Sequence, residues 1–373
     1  METENIPLDV ESNPPEEIVV FDDSPAALSA LLEKDEVTAN RILDLIGGFE
    51  NYPMFERESH LLDLGCEDFK GTVVGILDKV IAFLNRIMED MFDGSLALSL
   101  AFDNILLRVE ELNTLTRTTA RRSKEPTFDV TTRIQNLCVR YKAINEVQGL
   151  IANLKNLEQI GKQFFDYNNE ELIRAAFHIP QRITTAEELN KLVETIMLSN
   201  PVKMVSSNPL YSHRGYRHES LHLMGNYQVV VLDKSPEATG IDRMLGISVK
   251  LDNSERDPLP LPDLIKFQHF SGPVQITVLR QVEKMAEMFN RASGMSIRHR
   301  RKERIRSMLN IVKGIRNQIV NDQVEGADEA ILRQFVEVLE RYIDWLANPY
   351  LGILALAGRN LNAVLNVCRS NIK

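Results

Sequence analysis

The sequence predicts a mainly α protein, helical bundle lobes with a small β element inserted at about residues 227–252. Three observations carry this. Apolar residues recur at steps of three and four through long windows on both sides of the chain's middle, the period of an amphipathic helix. Between Pro201 and Pro273 the chain turns to Pro, Gly, Asn and Ser with short β-like runs. No repeat of the solenoid type replaces either pattern. The chain therefore divides into an acidic leader (1–66), an N-terminal helical lobe (67–200), a loop-rich β insertion (201–273) and a C-terminal helical lobe (274–373).

The elements follow in order. Residues 1 to 23 hold eight acids and no Lys or Arg, so they supply most of the formal charge of −10; 53 acids less those eight leaves 45 against 43 bases in the remainder. Such a tail cannot bury enough apolar surface to offset chain entropy, and reads as a solvated segment or a removable, masking pro-segment. Ser24-Pro25 and the run before Gly47-Gly48 bracket two short helices. The first long helix begins near Glu67, carries Phe69, Val73, Ile76, Val80, Phe83, Ile87 and Met91, and is expected to stop at Asp93-Gly94. A second covers about Ser95 to Arg121. A third seam runs from Ile134 through Leu137, Tyr141, Ile144 and Val147 to Phe164. After Pro180, Thr185 with Glu188 three residues on is a capping-box signature. YQVVVLD (227–233) and GISVKLD (246–252) read as two strands of a hairpin with a long connection. Helices resume at Val274, continue over 296–320, and close with 331–346 and 351–368.

Composition narrows the function classes. A hydrophobic share of 44% and a charged share of 26% are ordinary for a globular protein. Cys66, Cys138 and Cys368 are odd in number and scattered, against a disulfide framework or a thiolate metal site. The N-terminus lacks the basic and apolar regions of a secretory signal, and the apolar run 350–357 is far short of the roughly 20 residues that span a bilayer, so no membrane partner is expected. No phosphate-binding glycine loop, dinucleotide fingerprint or nucleophile elbow is present, so no cofactor is expected and the chain reads poorly as an enzyme.

Two stretches carry possible chemistry. His218-Glu219-x-x-His222 has the spacing by which a helix aims two imidazoles at zinc with the Glu as base. Its context is wrong for a buried helix: Arg214, Gly215 and Arg217 precede it, Ser220 stands where a hydrophobic residue belongs, Gly225-Asn226 turns into a strand, and Gln228 replaces a third histidine. A zinc metallopeptidase is thus the alternative reading. The second stretch is SIRHRRKERIR, where Arg298, Arg300, Arg301, Lys302, Arg304 and Arg306 surround Glu303 while Ile297, Ile305, Met308, Leu309, Val312 and Ile315 keep the helical period. A helix with one face inward and guanidinium groups on the rest suits sequence-independent phosphate contact; Lys313, Arg316 and Arg341 would extend it. A solvated face pairing with acids elsewhere is the plainer alternative.

The order of parts resembles one family. An acidic N-terminus, the helix FKGTVVGILDKVIAFLNRIMEDMF, a long helical pair, LMGNYQVVVLD and then FSGPVQITVLRQVEKMAEMF look like the internal head proteins of giant phiKZ-like bacteriophages, from about Glu67 onward. In that family a turn of LPGN type leads into a strand of small and branched residues. Leu223-Met224-Gly225-Asn226 before Tyr227–Leu232 is similar, with Met in place of Pro. The resemblance implies a non-enzymatic virion protein inside the capsid, present in the host cytoplasm during assembly, with packaged DNA and other head proteins as partners and co-ejection with the DNA as an option. It also implies a maturation protease cutting after Glu in small-x-Glu sequences. Gly65-Cys66-Glu67 fits and would shed the leader at Glu67; Ser123-Lys124-Glu125, Ala186-Glu187-Glu188 and Ser235-Pro236-Glu237 fit as well.

Overall fold

The structure, a computed structural model, describes residues 69–119, 126–130, 134–140, 142–175, 178–180, 183, 185–205, 210–212, 215–253, 265–320, 329–347 and 349–372. The acidic leader, its two short helices and Glu67 lie outside the described residues. The rest is mainly helical with small antiparallel sheets, as the sequence predicts.

Helix α1 (Phe69–Thr118) runs unbroken for 50 residues, about 75 Å at 1.5 Å per residue. The stop expected at Asp93-Gly94 does not occur. A glycine inside a helix costs about 1 kcal/mol, and packing along both halves of α1 outweighs it. Two later helices, α5 (Gly272–Ser293) and α6 (Met295–Val320), lie end to end along α1. On the C-terminal half of α1, Gln275 Nε2 donates to Thr116 Oγ1 at 2.8 Å, the Phe102 and Phe289 rings stack at 5.7 Å, and Ser99 Oγ donates to Asn290 Oδ1 at 2.7 Å. On the other half, Arg316 Nη2 donates to Asp78 Oδ2 at 3.2 Å. The buried stripe Leu98, Phe102, Ile105, Val109 and Leu112 is the three-four period made visible.

The seam expected to be helical from Ile134 becomes helix only at α2 (Val147–Asp166). Before it lie a 3-10 turn (Ile134–Leu137) and a two-residue hairpin, β2 (Cys138–Val139) against β3 (Lys142–Ala143). Arg140 at φ 50° takes the left-handed region and ends any helical run there; Leu137 and Cys138 are buried all the same, so the apolar period survives without the helix. Gly161 lets α2 approach α5, because a Cβ there would meet Met288 Cε and Phe289 Cζ at 2.9 Å. Past Asp166 the helix widens into a π turn (Tyr167–Leu172) that buries Asn168 completely. Helix α3 (Ala186–Met197) carries the full capping box: Glu188 N donates to Thr185 Oγ1 and Thr185 N to Glu188 Oε2.

The β insertion is a four-stranded antiparallel sheet in the order β4 (Leu210–Ser212), β5 (Gly215–Glu219), β6 (Tyr227–Asp233), β7 (Ile247–Asn253), with α4 (Gly240–Gly246) in the β6–β7 connection. The turn into β6 places Gly225 at φ 87° and Asn226 at φ 64°, the two residue types that tolerate it; Gly225 N donates to Cys138 O at 2.9 Å, tying the sheet to β2. A separate pair joins β1 (Thr127–Asp129) to β8 (Lys266–Gln268).

Helices α7 (Glu329–Ala347) and α8 (Tyr350–Ser370) complete the fold. Between Ala330 and Ser370 an 18-residue window reaches a mean hydropathy of 1.3, yet 89% of it is buried inside the protein. A helix apolar on every side is a core helix, and α8 packs on α1, α2, α5 and α7. Two of its polar residues are met from α1: Arg108 donates to Asn362 Oδ1 (2.7 Å) and Asn366 Oδ1 (2.8 Å). Beyond its end Asn371 Nδ2 donates to Gln275 Oε1 (2.6 Å) and Phe270 O (3.1 Å), while Asn371 Oδ1 accepts from Phe270 N (3.2 Å).

Candidate nucleic-acid interface

The six cations of the 298–306 stretch all lie on α6, but the helix does not present them together. Its inward side follows Ile305, Met308, Val312, Ile315 and Ile319; stepping back from Ile305 by four and seven residues gives Arg301 and Arg298, and both are buried, 5% and 8% exposed. Expecting all six to contact phosphate therefore fails for these two. Arg301 Nη2 donates to Leu346 O at 2.6 Å, Nη1 donates to Asn168 Oδ1, and the guanidinium carbon lies 3.8 Å from the centre of the Tyr350 ring. Leu346 stands in the last turn of α7, where unpaired carbonyls and the helix dipole favour a cation. Tyr350 is fixed in turn, its hydroxyl donating to Ala292 O at 2.6 Å. Burial lowers Arg301 to about 10, with the Tyr350 and Tyr342 hydroxyls opposing, so it remains charged at neutral pH.

Arg300 and Arg306 are exposed, and Lys302 and Arg304 half-buried. These four stand wholly or partly at the surface of the helix. His299 Nε2 lies 3.3 Å from Glu303 Oε1. Of the suggested extensions, Lys313 is exposed, whereas Arg316 pairs with Asp78, and Arg341 Nη1 donates to Asp344 Oδ2 at 3.3 Å.

The zinc alternative meets a geometric obstacle. His218 and Glu219 stand on strand β5, opposite Val231 and Val230, and successive strand residues face opposite sides of the sheet. His218 thus shares the face of the core residues Val231 and Val249, and Glu219 the other, where it accepts from Arg217 Nε. Arg217 Nη2 also donates to Asp252 Oδ2 at 2.8 Å, and Lys250 Nζ to Asp252 Oδ1 at 3.1 Å. Burial raises the Asp252 carboxyl, but these two cations outweigh it and hold it below the usual range. His222 follows the strand, half-buried; burial first, and then Arg140, lowers its imidazole. Strand pairing therefore separates what a helix would have brought together. Among the described residues no three His, Cys, Asp or Glu side chains converge on a metal position. Burial pushes the thiols of Cys138 and Cys368 up to about 11 and about 12, so neither is a ready thiolate.

Of the small-x-Glu sequences, those ending at Glu67 and Glu125 lie outside the described residues. Glu188 is committed to the α3 capping box, and Glu237 is exposed in the β6–α4 connection.

The described residues form a helical core with a small sheet, and a partly exposed row of arginines runs along α6. The chain belongs to the phiKZ-like phage internal head proteins, whose family model matches residues 22–370. The match begins some 45 residues before Glu67, where the sequence resemblance started, and so takes in much of the leader. Searches of curated proteins and of solved structures found no match. Family membership gives a structural role in the virion, inside the head.

Proposed function

We propose that this internal head protein lies against packaged DNA and holds it without reading sequence, through Arg300 and Arg306 with Lys302 and Arg304 beside them. The supporting observation is that these cations stand at the surface of a helix whose inward side is locked by Arg301 and the apolar stripe. Contacts of this kind are electrostatic and release counterions, so affinity falls with salt at a slope of roughly −0.9 per neutralised phosphate. The leader opposes that binding through its eight acids, and trimming after Glu67 by a maturation protease relieves it. A chain starting at residue 68 keeps all of α1, so the comparison leaves the described fold whole.

The test is a salt titration of duplex DNA binding by full-length and residue-68-onward proteins. The shorter form is expected to bind more tightly, both with a log–log slope of about −3 to −4 for four cations. Equal, salt-insensitive binding by the two forms overturns the reading. Sequencing the N-terminus of the protein taken from virions tests the trimming: an intact leader refutes it.

A further inference from the structure

A groove of about 710 Å³ opens between α1 and α5. At its centre Leu107 is 60% exposed, and around it stand Asp103, Glu110, Glu283 and Glu287, all exposed, with Arg117 at one end. Asp103, Leu107, Glu110 and Arg117 recur at steps of four, three and seven, so one face of α1 lines the groove for about 21 Å. Four carboxylates beside a bare leucine repel DNA and suit an occupant that joins an apolar anchor to several cations.

The chain carries such a surface on α6. Met295, 77% exposed, Lys302 and Arg306 stand at i, i+7 and i+11, and Lys313 at i+18, a single ridge of the helix. From Met295 to Arg306 it measures about 16 Å, within the length of the groove. The ridge and groove of one chain cannot meet. Asn290, near the end of α5, contacts Ser99 and Asp103, and from there α6 runs toward Asp78, away from the groove over residues 103–117. The occupant therefore comes from another molecule.

We propose that the α1–α5 groove receives the Met295–Lys302–Arg306 ridge of a second copy of this chain, Met295 against Leu107 and the cations against the groove's carboxylates. Because ridge and groove are different surfaces, the contact is heterologous. It extends into a ring or filament unless two copies close on each other. The inference goes beyond DNA binding and stands without it, although the shared cations make DNA a competitor.

Sedimentation of the full-length protein at low salt, over a range of concentrations, tests this with two charge reversals: Glu283→Lys with Glu287→Lys in the groove, and Lys302→Glu with Arg306→Glu on the ridge. The wild type is expected to associate, and about tenfold more weakly in 0.5 M salt; each reversal alone weakens association about tenfold or more. An equimolar mixture of the two variants restores it, which a general loss of fold cannot do. A monomeric wild type at low salt, association indifferent to either reversal, or a mixture that stays monomeric while both variants keep full helicity overturns the proposal. The groove reversal leaves DNA binding intact; a wild type that associates as expected but does not bind DNA would sink the DNA reading alone.

Discussion

Arg300 and Arg301 are neighbours in sequence and opposites in placement. Arg300 stands in solvent; Arg301 is buried between a π turn, the end of α7 and the Tyr350 ring, with carbonyl oxygens and an aromatic face where an acid would be the usual partner. The same side chain is a surface charge at one position and a keystone at the next, and 100° of helix rotation makes the difference.

Substitutions can break or sharpen that contrast. Arg301→Ala leaves a cavity and two unpaired acceptors, Asn168 Oδ1 and Leu346 O, and should cost about 3 kcal/mol in a denaturant titration, with DNA affinity unchanged wherever the protein remains folded. Arg301→Lys should recover only part of this, since an ammonium cannot reach both acceptors and stack on Tyr350. Asn371→Ala removes the acceptor for Phe270 N and the donor to Gln275, a loss of about 2 kcal/mol. At the surface, Thr185→Ala should cost about 1 kcal/mol through the capping box alone. Arg300→Ala with Arg306→Ala should stay within about 0.5 kcal/mol of wild type and lower the salt slope of DNA binding by about 2. If the Arg300/Arg306 variant lost more stability than Arg301→Ala, the contrast would be inverted and the assignment of inner and outer arginines wrong.

His222 gives the smallest effect and a sign. Burial lowers its imidazole, so the unfolded chain takes up a proton before the folded one does. Stability should therefore decline as pH falls below about 6.5, the free histidine value, and His222→Gln should flatten the decline in thermal scans between pH 7 and 5. A wild-type decline that is unaltered in the variant would place its origin elsewhere.

Much of the fold was legible. β6 coincides with the predicted strand, β7 begins and ends one residue later than predicted, and Thr185 caps where its spacing says it must, because these are local signals that tertiary packing reinforces. The helix continues through Gly94 because α5 and α6 pack along α1, which a local helix breaker does not register. Leu137 and Ile144 are buried seven residues apart with a hairpin between them, so periodicity alone could not separate helix from hairpin there. The interface was half legible. Carrying the stripe Ile305, Met308, Val312 back by one turn and then two marks Arg301 and Arg298 as inward, a signal present in the sequence and masked by the habit of placing every arginine in water. The partners of Arg301 were out of reach, since Asn168 and Leu346 lie 133 and 45 residues away. HExxH was legible as a spacing and not as a shape, which strand pairing decides.

The joint between α5 and α6 at Gly294 lies between the Asn290–Ser99 and Arg316–Asp78 contacts, and α1 passes it without interruption. Mechanically α1 is a splint: the joint cannot flex unless a continuous coil of backbone hydrogen bonds buckles with it. A bend at Gly294 would therefore have to bend α1 with it, so the two shorter helices and the long one resist bending as a single unit.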